Sequence, residues 1–154
     1  MDKIHISKEK KSLTKNFNSS EFYFGLDFDL PKSLVDGAQF LREYFNKPIK
    51  ITSTFRPKDL FGFHRYGEAI DLIWFDDNYN KFNIFKNECK NHKTSEMFKG
   101  LRKCGIDGFG LENSCIHLDI RPDLYCHLTD EIGKYCIFTW VSTPLPYGTS
   151  GLIY

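Results

Sequence analysis

The segment Phe63–Trp74, FHRYGEAIDLIW, sets His64 seven residues ahead of Asp71. Asp71 interrupts a run that is otherwise apolar: Ala69, Ile70, Leu72, Ile73 and Trp74. A short continuous apolar run of this kind predicts a strand over residues 68–75 that is buried on both faces. An unpaired carboxylate is costly to bury, so Asp71 has to be neutralised, hydrogen-bonded or engaged with a cation. What it pairs with bears on the fold and on the function alike.

Working outward, IKITSTF (residues 49–55) alternates, with Ile49, Ile51 and Ser53 on one face and Lys50, Thr52 and Thr54 on the other. That is strand period. RPKDLFGFHRYG (56–67) is punctuated by Pro and Gly and reads as a loop. Upstream, Leu34, Ala38, Leu41 and Phe45 recur at helical spacing with Val35 alongside, which predicts a helix over 32–46 between Pro31 and Pro48. Residues 79–91 and 94–104 also read as helices, the second ending near Gly105. GFGLE (108–112) and SCIHLDIR (114–121) read as short strands joined tightly. Leu13, Phe17, Phe22 and Phe24 are available to pack, the lysine-rich residues 1–12 are expected to be a mobile N-terminal segment, and residues 13–154 a single domain. The tail from Val141, with Pro144, Pro146, Gly148 and Gly151, is expected to be extended.

A chain of 154 residues suits one domain, and its 41% hydrophobic and 16% aromatic content is enough to bury a core. A formal charge of +1 argues against a protein built to coat nucleic acid. The five cysteines, Cys89, Cys104, Cys115, Cys126 and Cys136, are odd in number and contain no CxxC pair. Neither a disulfide framework nor a cysteine zinc finger is indicated, and free thiols in a reducing compartment are expected. The N-terminus lacks an apolar signal core, and no segment reaches membrane-spanning length. The expectation is a protein made in the cytoplasm without its own export signal, with no membrane partner.

CIHLDIRP (115–122) repeats the pattern that makes Asp71 conspicuous. Alternation puts Ile116, Leu118 and Ile120 on one face and His117, Asp119 and Arg121 on the other. His64, Asp71 and His117 then form two imidazoles and a carboxylate, a common catalytic zinc set that leaves a fourth position for water. Nitrogen and oxygen donors suit Zn²⁺ better than Mg²⁺ or Ca²⁺. Taken singly, a histidine near an apolar strand is more often a hydrogen-bonded structural residue than a ligand; the set of three is what points to a metal.

In order, Ser53-x-x-Arg56, His64-x-x-Gly67-x-Ala69-x-Asp71 and His117-x-Asp119 resemble the three-part pattern of the M15 peptidases, the D-alanyl-D-alanine carboxypeptidase and peptidoglycan endopeptidase group. LTKNFNSSEF is similar to the start of phage-type members, and the likeness covers roughly residues 13–122. It implies an α+β fold of the hedgehog/DD-peptidase kind: a small, mainly antiparallel sheet, helices on one side and at the ends, and zinc in a groove on the other face. It implies His64, Asp71 and His117 as zinc ligands, Arg56 as the group that holds substrate and developing negative charge, and Ser53 and Gly67 as residues that shape the site. The substrate implied is the stem or cross-link peptide of peptidoglycan. A monomeric phage lysis enzyme released by a separate pore, or a wall hydrolase of a phage particle, fits a chain without an export signal.

Two departures from the pattern matter. The loop between Arg56 and His64 has only seven intervening residues, and Ser114 stands where several branches carry an acid, three residues before the last histidine. Asp119 and Glu112 remain as candidate general bases. Asp119 reads equally as a partner that orients a ligand histidine, and Glu112 as a solvated turn residue. Alternation favours Asp119. The rival function is a zinc-bound but inactive relative that serves as a binding module, or a virion structural protein whose polar face is merely solvated.

Overall fold

The structure is a computed structural model that describes residues 2–139 and the backbone of Gly151–Leu152. In chain order the elements are β1 (Lys3–Ile6), β2 (Phe28–Pro31), α1 (Lys32–Phe45), β3 (Ile49–Ser53), β4 (Ala69–Trp74), α2 (Asn78–Lys90), α3 (Glu96–Cys104), β5 (Gly108–Glu112), β6 (Cys115–Asp119), β7 (Leu128–Thr129), β8 (Lys134–Thr139) and β9 (Gly151–Leu152). The class is α+β. The main sheet runs β3-β4-β6-β5-β8-β7, with β9 on β8, and β1 pairs with β2 in a separate antiparallel ribbon. The main sheet is mixed: β5 and β8 are parallel, and its other pairings are antiparallel.

The central strands are apolar because helices cover one face. Ile70 and Leu72 of β4 lie opposite Leu118 and Ile116 of β6, which lie in turn opposite Phe109 and Leu111 of β5. All six are buried in one core with Leu34, Val35, Leu41, Phe98 and Leu101 of the helices. Helix α1 comes close because Gly37 faces the sheet; a Cβ there would sit 3.1 Å from Ile106 and 3.6 Å from Leu118. Helix α3 begins at Ser95, whose hydroxyl accepts the Phe98 N–H, and ends at Gly105 with φ of 101°. Both are ordinary helix punctuation. The Phe98 ring packs against Phe109, tilted at 35° with centroids 4.2 Å apart, tying this helix to β5.

Two regions differ from the reading of the sequence. Residues 1–12, expected to be a mobile segment, contribute β1, in which Ile6 is fully buried. The lysines around Ile4 and Ile6 conceal a short alternation that β2 completes. Strand β8 carries a buried run, Tyr135–Phe138, after Gly133, and supplies one wall of the site described below. The expected extended tail from Val141 lies outside the described residues, apart from Gly151–Leu152. All five cysteines are free, as expected. No helix among the described residues is long and apolar enough to cross a membrane.

If β1 belongs to the core, Ile6→Ala should lower the unfolding free energy by about 2–5 kcal/mol, the usual cost of emptying a buried isoleucine site. A urea midpoint equal to that of the wild type would mean that the segment does not hold the fold together.

Candidate metal centre

The face of the main sheet away from the helices carries one row of aligned residues. Ser53 on β3 is opposite Asp71 on β4, which is opposite His117 on β6; Gly110 on β5 and Phe138 on β8 continue the row. Directly opposite residues share a face, so register alone brings Asp71 and His117 together. His64 joins them from the connection between β3 and β4. It opens a short 3-10 turn, His64–Tyr66, closed by Gly67 at φ of 71°. Gly67 is required twice over, since a Cβ there would also meet the Phe28 ring at 2.7 Å.

The hydrogen-bond partners of each imidazole decide where its lone pair lies. His64 Nδ1 is 2.7 Å from the carbonyl oxygen of Thr54. A carbonyl only accepts, so Nδ1 carries the hydrogen and Nε2 presents a lone pair. Thr54 is itself fixed, its hydroxyl donating to the carbonyl of Phe22 at 2.8 Å. His117 Nε2 is 2.7 Å from Asp119 Oδ2. Burial opposes charge on Asp119, but Arg121 and His117 outweigh it and hold the carboxyl well below the ordinary range. Asp119 is therefore an acceptor, Nε2 of His117 carries the hydrogen, and Nδ1 presents the lone pair.

Both lone pairs converge on one atom. His64 Nε2 and His117 Nδ1 each lie 3.1 Å from Asp71 Oδ1. Three acceptors facing one another are repulsive unless a positive charge lies among them. A proton on Nδ1 of His117 can supply that charge: against the penalty of burial, Asp119 and Asp71 raise the His117 pKa well above its ordinary value. The same demand appears at Asp71, which the two rings hold below the usual carboxylate range despite its burial. One donor atom from each of the three residues falls within 4.8 Å of the others, and all three side chains are buried. Tetrahedral Zn²⁺ with ligands at about 2.0–2.1 Å spaces its donors by roughly 3.3 Å. The donor set fits such an ion in type, spacing and tautomer.

The centre opens onto a cleft of about 930 Å³ whose lining includes Arg56, Phe63, Glu112, Arg121, Tyr125 and Phe138. Arg56 stands at its edge, with Nη1 2.9 Å from Ser53 Oγ and 3.5 Å from Asp71 Oδ2. Its Nε donates to Asp59 at 2.8 Å. Glu112 is the last residue of β5. The hairpin turns at once through Asn113 and Ser114, both with positive φ, which is the two-residue turn that matches strand twist. This places Glu112 Oε1 3.8 Å from His117 Nδ1. Burial raises the Glu112 carboxyl above its ordinary range.

The residues singled out in the sequence thus gather in one place, at different depths. His64, Asp71 and His117 form the donor set, while Ser53, Arg56 and Glu112 surround it. Asp119, which alternation favours as base, is fully buried one step behind His117, whereas Glu112 borders the cleft. Ser114 is a turn residue whose carbonyl accepts from Asn78. Sequence reading missed the Thr54 carbonyl, which has no sequence signature, and the rings of Phe63 and Phe138. It also missed Gly108 and Gly110, whose spacing of two opposite Asp119 and His117 was the available signal. No family model matches the chain, and neither the curated proteins nor the solved structures contain a match.

Two measurements probe this geometry. Elemental analysis of protein purified with zinc should find about one ion per chain, as a single three-ligand site requires, and His64→Ala or His117→Ala should lose it. Equal zinc in wild type and both variants would remove these residues from the donor set. The second concerns acid. The folded Asp119 carboxyl titrates below its unfolded value of about 3.9, so its stabilisation is complete above that pH and is lost as pH falls further. In the presence of chelator, Asp119→Asn should be less stable at neutral pH and show a shallower loss of urea midpoint below about pH 4. Parallel acid limbs would refute the depressed carboxyl.

Proposed function

We propose that the protein is a zinc-dependent peptidase of the hedgehog/DD-peptidase type, acting on the stem or cross-link peptides of peptidoglycan as a D-alanyl-D-alanine carboxypeptidase or an endolysin-like endopeptidase. The observation that carries the catalytic part of this reading is the convergence of two tautomer-fixed imidazoles on Asp71 Oδ1, at the wall of an open cleft. The substrate class rests on the M15-like motifs.

Bound Zn²⁺ would supply Lewis-acid polarisation and a water of lowered pKa. The chain's own groups then divide the remaining work. Glu112, beside His117 and with a raised pKa, takes the proton of the attacking water and returns it to the leaving amine nitrogen. Asp119 is not suited to that role, because Arg121 and His117 occupy its oxygens. It holds His117 in one tautomer instead. Arg56, half-exposed at the cleft edge, faces the substrate; its planar fork suits a terminal carboxylate or a developing oxyanion. A monomer that reaches the wall after phage-mediated release is consistent with these parts.

Ser114, at a position where several branches of the resembled M15 group carry an acid, favours the rival reading of a zinc-bound inactive module. Digestion of purified peptidoglycan followed by mass analysis of the fragments separates the two readings. Turnover that chelator abolishes supports the enzyme, and intact muropeptides at full zinc loading support the module. Within the enzyme reading, Glu112→Gln should lose roughly two to four orders of magnitude in rate while keeping its zinc. Asp119→Asn should instead lose zinc affinity, by about 10- to 100-fold, with partial rescue by added metal. The reverse pattern would return the base to Asp119.

A further inference from the structure

We infer that Arg121 is a positioning residue of the metal centre: clamped between Phe63 and Phe138, it fixes Asp119 and, through Asp119, the ring of His117. The inference rests on the metal-site reading above and adds to it a residue that touches neither the ion nor the reacting atoms.

The Asp119 side chain has no exposure and that of Arg121 about 7%. Arg121 Nε donates to Asp119 Oδ1 at 2.8 Å, and Nη2 donates to Oδ2. Oδ2 also accepts from His117 Nε2. One carboxylate thus receives a two-pronged guanidinium and the imidazole N–H together. A buried ion pair repays its desolvation only when its geometry is held closely, and here the holding groups are visible. The Arg121 Cζ lies 4.7 Å from the centre of the Phe63 ring and 4.8 Å from that of Phe138. A planar, weakly hydrated guanidinium stacks in such a slot, whereas an ammonium neither stacks nor forks.

The two rings connect the clamp to both imidazole ligands. Phe63 immediately precedes His64. The Phe138 ring meets the His117 ring edge-on at 5.3 Å. Room for the arrangement is cut into β5 by two glycines. A Cβ on Gly108 would lie 2.0 Å from Asp119 Oδ1, and one on Gly110 would lie 2.7 Å from the Phe138 ring and 3.0 Å from His117 Cβ. Alternate glycines weaken a strand, so their presence opposite these two side chains marks space kept for the carboxylate and the ring. Arg121 borders the cleft, but its charge is matched by Asp119.

The test reads metal binding, so it stands apart from peptidase activity. Zinc dissociation constants are measured by competition with a chromophoric chelator, and the visible spectrum of the Co²⁺-substituted protein reports ligand geometry. Arg121→Met should weaken zinc by about 10- to 100-fold, as loss of a group orienting a metal ligand does, and should change the Co²⁺ spectrum. Arg121→Lys should resemble Arg121→Met more than wild type. Should Arg121→Met fail to fold, Phe63→Leu removes one side of the slot from an otherwise intact chain and should weaken zinc several-fold. Unchanged affinity and spectrum in whichever variants fold would make Arg121 an ordinary structural ion pair and overturn the inference. Wild type that binds no metal would overturn the metal-site reading itself. Metal binding that depends on Arg121 without peptide hydrolysis would sink only the peptidase reading.

Discussion

The convergence of two imidazole lone pairs on Asp71 Oδ1 is the constraint from which the rest of the architecture follows. It requires Asp71 and His117 to be directly opposite, which the β4–β6 register provides. A slip of one residue would turn Asp71 into the helix-covered core and Leu72 or Ile70 onto the site. It also requires each ring to present one particular nitrogen, and that choice is made by two unrelated groups: a backbone carbonyl at the end of β3 for His64, and a buried carboxylate for His117. The 3-10 turn Ser19–Phe22 takes part as well, because the carbonyl of Phe22 anchors Thr54.

Charge in the buried set explains why the site could hold a cation. Asp71 and Asp119 are two carboxylates, and Arg121 is the buried guanidinium matched to one of them. With both imidazoles neutral, one negative charge is left unbalanced. Arg56 offsets it only in part, since it lies 3.5 Å from Asp71 and also serves Asp59. A proton on His117 satisfies the balance, which is why that ring is held so basic. A divalent ion would satisfy it better, because it would accept a lone pair from all three groups at once. Metal binding in such a site displaces a proton, so its affinity rises with pH.

The donor set was legible in the sequence because polar residues inside apolar strands stand out against period two: Asp71 in AIDLIW and His117 in CIHLDI could face only a site or a costly burial. The helices flanking the sheet were legible for the same reason, through their apolar spacing and their Pro and Gly ends. Depth was not legible. Alternation assigns a residue to a face but does not say whether another side chain covers it, and Asp119 is covered by Arg121 while Glu112 is not. Nor does alternation reveal the parallel β5–β8 pairing, made between strands distant in the chain, that brings Phe138 over the site. The lysines of residues 1–12 suggested solvent, yet a strand at a ribbon edge can carry lysines outward and still bury Ile6.

Three carboxylates within one small site are kept chemically distinct by their surroundings. Asp71 and Asp119 are each pulled down by cationic or N–H neighbours that outweigh burial. Both therefore hold permanent negative charge, which suits a ligand and an orienting group. Glu112 is partly buried near Asp71, and for it desolvation outweighs the favourable influence of His117, His64 and Arg56, so its proton affinity rises. A base that must accept a proton from water and then release it to an amine works best with a pKa drawn towards neutrality. The hairpin turn at Asn113–Ser114 is the local device behind this difference: it ends β5 with Glu112 at the cleft, past the glycines that make room for the deeper pair. Moving the acid two residues back along that strand, to Gly110, would drive it into Phe138 and His117, so of these two positions on the same face of β5 only that of Glu112 has room for a carboxylate.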